Sequence, residues 1–226
     1  MRIHAFHHLY QQRLSQSTKP FVARGAKVIR CQFCQVAKKH CICHQQPDID
    51  CDIAALLLVS KNEVFKPSNT GRLIADTIKQ TYVYQWKRTE PDSDMLALLN
   101  NTRYQPVVVF PKQYVENEKR VVAAPHSWRN SDKTPLLVLI DGSWREARKI
   151  FRRSEYLADL PVISIAPERV SQYVMRKSAD EQHLATAEVA TLVLEELGET
   201  NTALSLSAWF ELFRESYLLS KTQRQR

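Results

Sequence analysis

Apolar residues along this chain follow two rhythms that alternate from about residue 53 onward. Apolar runs of strand length lie at residues 53–59, 82–86, 107–110, 136–140 and 162–165, broken only by Gln85 and Ser164. Between them, apolar residues recur every three to four positions, predicting helices over 71–79 and 94–100, from Trp144 onward, and over 181–197 and 203–219. Alternation of this kind predicts an α/β fold with a mostly parallel sheet and helices on both faces. Asn69 or Thr70 is placed to cap the helix at 71, and Gly198 to stop the helix at 197. Residues 112–134 are polar and irregular, with Pro125 and Trp128, and read as an insertion over the site. Before residue 53 the pattern weakens. Ile3, Phe6, Leu9, Tyr10 and Leu14 suggest an interrupted amphipathic helix over 2–16, and Pro20 and Gly25 break the stretch that follows. The expected division is an amino-terminal segment, 1–50, and a catalytic domain, 51–226.

The run 136–140 ends at Asp141, and a helical pattern begins at Trp144. Leu136 to Ile140 are apolar throughout, as expected of a strand covered on both faces. After the turn, Trp144, Ala147, Ile150 and Phe151 share one helical face, while Arg145, Arg148, Lys149, Arg152 and Arg153 occupy the rest. Ligands of open α/β sheets bind beyond the carboxyl ends of the strands, which is where Asp141, Gly142, Ser143 and Trp144 fall. The same residues also have a purely structural use. Ser143 and Glu146 form a capping-box pair, Gly142 suits a tight turn, and Trp144 suits packing. Local physics leaves both readings open.

Charge is distributed unevenly. The 226 residues carry a net charge of +8, with 32 Lys and Arg against 24 Asp and Glu. Residues 1–44 contain eight of the basic residues (Arg2, Arg13, Lys19, Arg24, Lys27, Arg30, Lys38 and Lys39) and no acidic one. The remainder is therefore neutral, 24 against 24. Such a segment attracts phosphate backbones whatever their sequence, and Arg24, Lys27 and Arg30 are its candidate RNA contacts. The longest apolar run is too short to cross a bilayer, and the amino terminus lacks the apolar core of a signal peptide, so a cytoplasmic protein is expected. The four glycines, at 25, 71, 142 and 198, are too scattered for a Gly-x-Gly-x-x-Gly fingerprint or a P-loop.

Four of the five cysteines lie within thirteen residues, as Cys31-x2-Cys34-x6-Cys41-x-Cys43. A Cys-x2-Cys turn with a second close pair has the ligand set of a structural zinc site. An iron–sulfur cluster and unliganded thiols are the alternatives, and His40 or His44 could replace one cysteine. Cys51 reads as an ordinary buried thiol.

The turn Asp141-Gly142-Ser143-Trp144 resembles the Asp-x-Thr-Trp signature of the DTW-domain family, with serine in the third position. Five further stretches are similar to bacterial tRNA-uridine aminocarboxypropyltransferases: KPSNTGRLIAD (66–76), QWKRTEP (85–91), YQPVVVFP (104–111), EARKIFRRSEYLADLPVIS (146–164) and TAEVA (186–190). Serine retains the hydroxyl that caps and hydrogen-bonds. Related enzymes acting on ribosomal RNA carry serine there. The resemblance implies transfer of the 3-amino-3-carboxypropyl group of S-adenosylmethionine to N3 of a tRNA uridine, releasing methylthioadenosine. It also implies kinship to the SPOUT group of knotted RNA-modifying proteins, with a cofactor pocket made from strand-end loops. In that pocket Asp141, Ser143 and Trp144 are the candidate catalytic residues. Phe110, Pro111, Ile140, Gly142 and Thr186 are candidate S-adenosylmethionine contacts, together with Asp141 and Trp144. Arg72, Arg145 and Arg176 join the candidate RNA contacts, and Asn69, Thr70 and Tyr173 stand behind them. An ordinary carboxylate is a poor base for a uridine N3–H, so orientation and electrostatics are the expected role of Asp141 unless its pKa is raised. An RNA methyltransferase with the same cofactor, transfer to ribosomal RNA, and a non-catalytic zinc RNA-binding module are the alternatives. No membrane and no obligate protein partner are implied.

Overall fold

The computed structural model of the protein describes residues 1–18, 28–122, 132–165 and 184–222. Six parallel strands form its sheet: β1 (Ala54–Val59), β2 (Thr81–Gln85), β3 (Tyr104–Val109), β4 (Val121–Val122), β5 (Thr134–Asp141) and β6 (Val162–Ile163). Their order across the sheet is β2-β1-β5-β3-β6-β4. The last long strand of the sequence, β5, is thereby inserted between β1 and β3. The most apolar segments take the central places because a central strand in a covered sheet meets no water on either side. All six residues of β1 are buried, as are Leu136, Leu137, Val138 and Leu139 of β5.

Strand geometry sends alternate side chains to opposite faces, and each face has its own helices. Ala55, Leu57 and Val59 of β1 meet α1 (Ala5–Ser15), α2 (Gly71–Thr77), α5 (Thr186–Glu196) and α6 (Thr200–Thr222), through Phe6, Leu73, Val193 and Trp209 among others. Ala54, Leu56 and Leu58 meet α3 (Ser93–Leu99) and α4 (Trp144–Arg153), through Met95, Leu98, Ile150 and Phe151. The expected α/β sheet covered on both faces is thus present.

Two differences from the sequence pattern have local causes. Strand β3 starts at Tyr104 rather than 107 and includes Pro106. Val108 N–H and Phe110 N–H donate toward β6, so the nitrogen of Pro106 points to the same side, where β6 has not yet begun. The missing donor is never needed. In α1, Phe6 and Leu9 are buried, whereas Ile3, which precedes the helix, and Leu14, both expected on the same face, are 55% and 48% exposed, because the buried residues of the helix, Phe6, His7 and Leu9, all lie in its first half. Gly198 stops α5 as expected, with φ 76°, while Glu199 N–H reaches back to Leu194 O. The loop expected up to Arg176 and the helix start expected near 181 lie outside the described residues.

Candidate active site

The loop after β1 and the start of α5 meet at Asp141, the last residue of β5. Its carboxylate is 2% exposed and is held from two directions. Asn69 Nδ2 donates to Oδ2 at 2.6 Å, and Thr186 Oγ1 donates to Oδ1 at 2.7 Å. Asn69 is also fixed from behind, because its Oδ1 accepts the Arg72 N–H at 3.0 Å in the first turn of α2. Ala187 N–H donates to Thr70 Oγ1 at 3.4 Å, a second tie between the starts of α2 and α5. Gly71 makes the approach possible: a Cβ at this position would lie 2.5 Å from Asp141 Oδ2. Burial, with Glu63 nearby, pushes Asp141 up to about 6, against the lowering effect of its two hydrogen bonds.

The turn after Asp141 is the predicted capping box. Ser143 Oγ accepts Glu146 N–H at 3.4 Å, and Glu146 Oε2 accepts Ser143 N–H at 3.1 Å and its hydroxyl at 2.6 Å. The Ser143 hydroxyl is therefore engaged locally, as the structural reading of the sequence required. Trp144, 39% exposed, stacks on Phe110 with centroids 5.7 Å apart and planes at 13°. Tyr114 meets it edge-on at 5.3 Å, and Phe110 stacks on Phe151 at 4.1 Å from the other side. Phe110 is buried behind Trp144, and Pro111 and Ile140 are half-buried at the rim. The result is an aromatic wall on the α4 side of the turn, while the enclosed Asp141 carboxylate faces α2 and α5 on the other side of the sheet.

The structure thus brings Asp141 together with Asn69 and Thr186, and Trp144 together with Phe110, with Gly142 and Ser143 as the turn that links the two groups; Thr70 lies beside the first through Ala187. It removes Arg72 from the RNA contacts. Arg72 is 2% exposed, donates from Nη1 to Cys34 O at 2.9 Å and from Nη2 to Lys66 O at 3.3 Å, and lies over the Phe6 ring. A guanidinium enclosed this way joins α2 to the cysteine segment and cannot reach a phosphate. Arg30 donates to Gln35 O and lies over Tyr217, whereas Arg145 is exposed at the start of α4. Arg24, Lys27, Tyr173 and Arg176 lie outside the described residues. Sequence reasoning missed Tyr114, Glu63 and Gly71 as parts of the site. Only Gly71 left a signal, as a glycine opening a helix, a position where glycine has no advantage unless something approaches it closely.

Cys31, Cys34, Cys41 and Cys43 converge, with their sulfurs all within 4.8 Å of one another. Cys31 and Cys43 are 3.6 Å apart and Cys34 and Cys41 3.9 Å, close to the ~3.8 Å edge of a tetrahedron whose metal–sulfur bonds are about 2.3 Å. All are free thiols. The knuckle between the first two is closed by Cys31 N–H donating to Val36 O and Gln35 N–H to Cys31 O, with Gln35 at φ 60°. A hydrogen bond from Cys43 pushes Cys34 down to about 5, and the same contact pushes Cys43 up. The group could hold a metal ion, and its dimensions suit zinc.

A parallel α/β sheet with a polar site beyond its carboxyl edge and a four-cysteine lobe against one face belongs to the class of strand-end α/β enzymes. Residues 28–218 match the DTW domain, and the chain belongs to the DTW-domain family, the family of tRNA-uridine aminocarboxypropyltransferases. No solved structure matches the chain. Membership fits a tRNA-modifying transferase. Among the described residues no helix is long and apolar enough to cross a membrane.

Proposed function

We propose that the protein transfers the 3-amino-3-carboxypropyl group of S-adenosylmethionine to N3 of a uridine in tRNA and releases methylthioadenosine. The observation carrying this reading is the DTW-domain match over residues 28–218, within which the family's signature turn lies at the carboxyl edge of the sheet. In the reaction the uridine N3–H is lost to solvent, N3 bonds to the terminal carbon of the arm, and the carbon–sulfur electron pair stays on sulfur. S-adenosylmethionine supplies the activated carbon on a cationic sulfonium leaving group, so positioning is the main task of the protein.

Trp144 offers that cation an aromatic face, and Phe110 and Tyr114 hold the ring in place. Asp141 acts by position and charge. With a pKa near 6 it is ionised at neutral pH, it draws the loop of Asn69 and the helix of Thr186 together, and it adds negative potential near the sulfonium. The raised pKa brings it closer to a base, but both oxygens already accept hydrogen bonds behind Gly71, which favours orientation over proton transfer. Ser143 serves by starting α4 at the right place. The reading carries with it a SPOUT-like knotted pocket, a structural zinc ion on the four cysteines, and a cytoplasmic location. It also takes 51–226 as the catalytic domain and 1–50 as an accessory segment that attracts tRNA.

The test incubates purified protein with S-adenosylmethionine and unmodified tRNA and quantifies the products. Methylthioadenosine with a modified uridine supports the proposal, S-adenosylhomocysteine would assign methyl transfer, and neither product would leave an RNA-binding module. Trp144→Ala should lower turnover by about 100-fold or more with the fold intact.

A further inference from the structure

We propose that helix α4 is the phosphate-docking face for tRNA, laying the backbone along Arg145, Arg148, Lys149 and Arg152 so that the target nucleobase reaches Trp144. This rests on the proposed function for the identity of the RNA. The counting of charge along the sequence hides this surface, because residues 45–226 sum to zero. Folding separates what the sequence mixes. Asp48, Asp50 and Asp52 precede β1 and so lie at the amino edge of the sheet, while α4 begins at the carboxyl edge. In ten residues α4 carries Arg145, Arg148, Lys149, Arg152 and Arg153, all exposed, against a single carboxylate, Glu146. Glu146 is turned back into the capping box and held below the ordinary range by Ser143 in spite of partial burial.

Three further observations place the RNA here. An open groove of about 600 Å³ runs along this face, lined by Trp144, Arg145, Glu146, Arg148, Lys149 and Arg152. The cations are spread across the site by aromatic supports: Arg148 lies over Tyr114, beyond β3, and Lys149 over Trp86, beyond β2. The face also ends at Trp144, in the turn that follows the carboxyl end of β5, so a backbone laid along α4 delivers a nucleotide to the edge where the proposed transfer takes place. Two cations of the amino-terminal segment are less available than their charge suggests. Arg2 donates to Ala75 O and Asp76 O, and Arg30 is engaged within its own lobe. Insertion of α4 into an anionic membrane is excluded by its apolar side, since Ala147, Ile150 and Phe151 are buried against the sheet.

The test measures binding of unmodified tRNA to the full chain without S-adenosylmethionine, across a salt titration. Arg145→Gln, Arg148→Gln, Lys149→Gln and Arg152→Gln combined should weaken binding at least tenfold at moderate salt. The slope of log affinity against log salt should flatten by about three, since each released phosphate contact contributes roughly 0.7 to 0.9. A control removing equal charge elsewhere, Lys38→Gln, Lys39→Gln, Arg103→Gln and Lys133→Gln, should flatten it clearly less. Arg145→Gln with Arg152→Gln, which leaves both ring contacts in place, should fold normally and show about half the slope change. Wild-type slope in the α4 variants, or an equal loss in the control, would overturn the proposal. Because no turnover is measured, a protein that binds through α4 yet releases no methylthioadenosine refutes the proposed reaction and not this surface.

Discussion

Asp76 and Asp141 are both enclosed carboxylates, and they titrate in opposite directions because their partners differ. Burial alone would raise Asp76, but His4 Nε2 at 2.9 Å, Gln46 Nε2 at 2.7 Å and Trp209 Nε1 at 3.0 Å surround it, and it is held below the carboxylate range. Asp141 has two neutral donors and Glu63 near it, and rises to about 6. Its folded pKa lies above its unfolded one, so it binds a proton more readily when folded, and its contribution to stability grows as pH falls from about 6 toward 4. For wild type minus Asp141→Asn, urea unfolding should therefore show a difference about 2 kcal/mol more in favour of wild type at pH 4.5 than at pH 7.5. An unchanged difference would mean that the carboxylate is not strained by burial. Gly71→Ala probes the same atom from the other side. Its Cβ would meet Asp141 Oδ2 at 2.5 Å, and Asn69 and Thr186 prevent the carboxylate from retreating, so a loss of about 1–3 kcal/mol is expected in thermal melting. Gly142→Ala would meet Ser60 Oγ at 3.1 Å and Ser60 Cβ at 3.2 Å, contacts that a shift of a few tenths of an ångström relieves, and should cost less.

At the scale of elements, the clearest sequence signals were those in which one short segment carries its own explanation. The run into Asp141 and the Ser143–Glu146 cap are local, and β5 and α4 appear with the expected register of chemistry between them. Ser143→Thr should retain this cap, whereas Ser143→Ala should lower stability by about 1 kcal/mol, measured as a shift in unfolding midpoint. Equal stability of the alanine variant would leave the hydroxyl without a structural role. What was not legible depends on strand order. Tyr114 looked like loop filler until β3 was placed beside β5, which puts it against Trp144. Arg72 looked like a surface cation because the chain does not reveal that Cys34 O will lie beside it, 38 residues away in sequence. The convergence of Asn69 and Thr186 on Asp141 likewise requires α2 and α5 to share one face of the sheet, a fact that no periodicity carries.

In the whole molecule, the amino-terminal segment and the remainder of the chain are packed into one core. Phe6, Leu9, Cys34, Val36 and Ile42 belong to the same buried cluster as the inner face of β1 and helix α6. Polar ties reinforce it: Arg72 reaches Cys34 O, Ala37 N–H donates to Ser220 Oγ at 3.2 Å, and Asp76 joins His4, Gln46 and Trp209. A metal-bound lobe so connected should stabilise more than itself, since binding energy released at the four cysteines adds to the folding of whatever they are packed against. Chelation, or Cys34→Ser, should therefore lower the melting temperature of the entire chain within one cooperative transition. Arg72→Met should do the same through the lobe's contact with α2, at about 3 kcal/mol, because it strips the donor from the carbonyls of Cys34 and Lys66 and a nearby positive charge from Asp76. Metal content by elemental analysis separates the two routes. The cysteine variant should lose the ion, whereas the methionine variant should keep it under native conditions and melt early. A separate low-temperature transition in either case, with the main one unmoved, would show that the cysteine lobe folds as an independent unit and that the shared core carries little of the coupling.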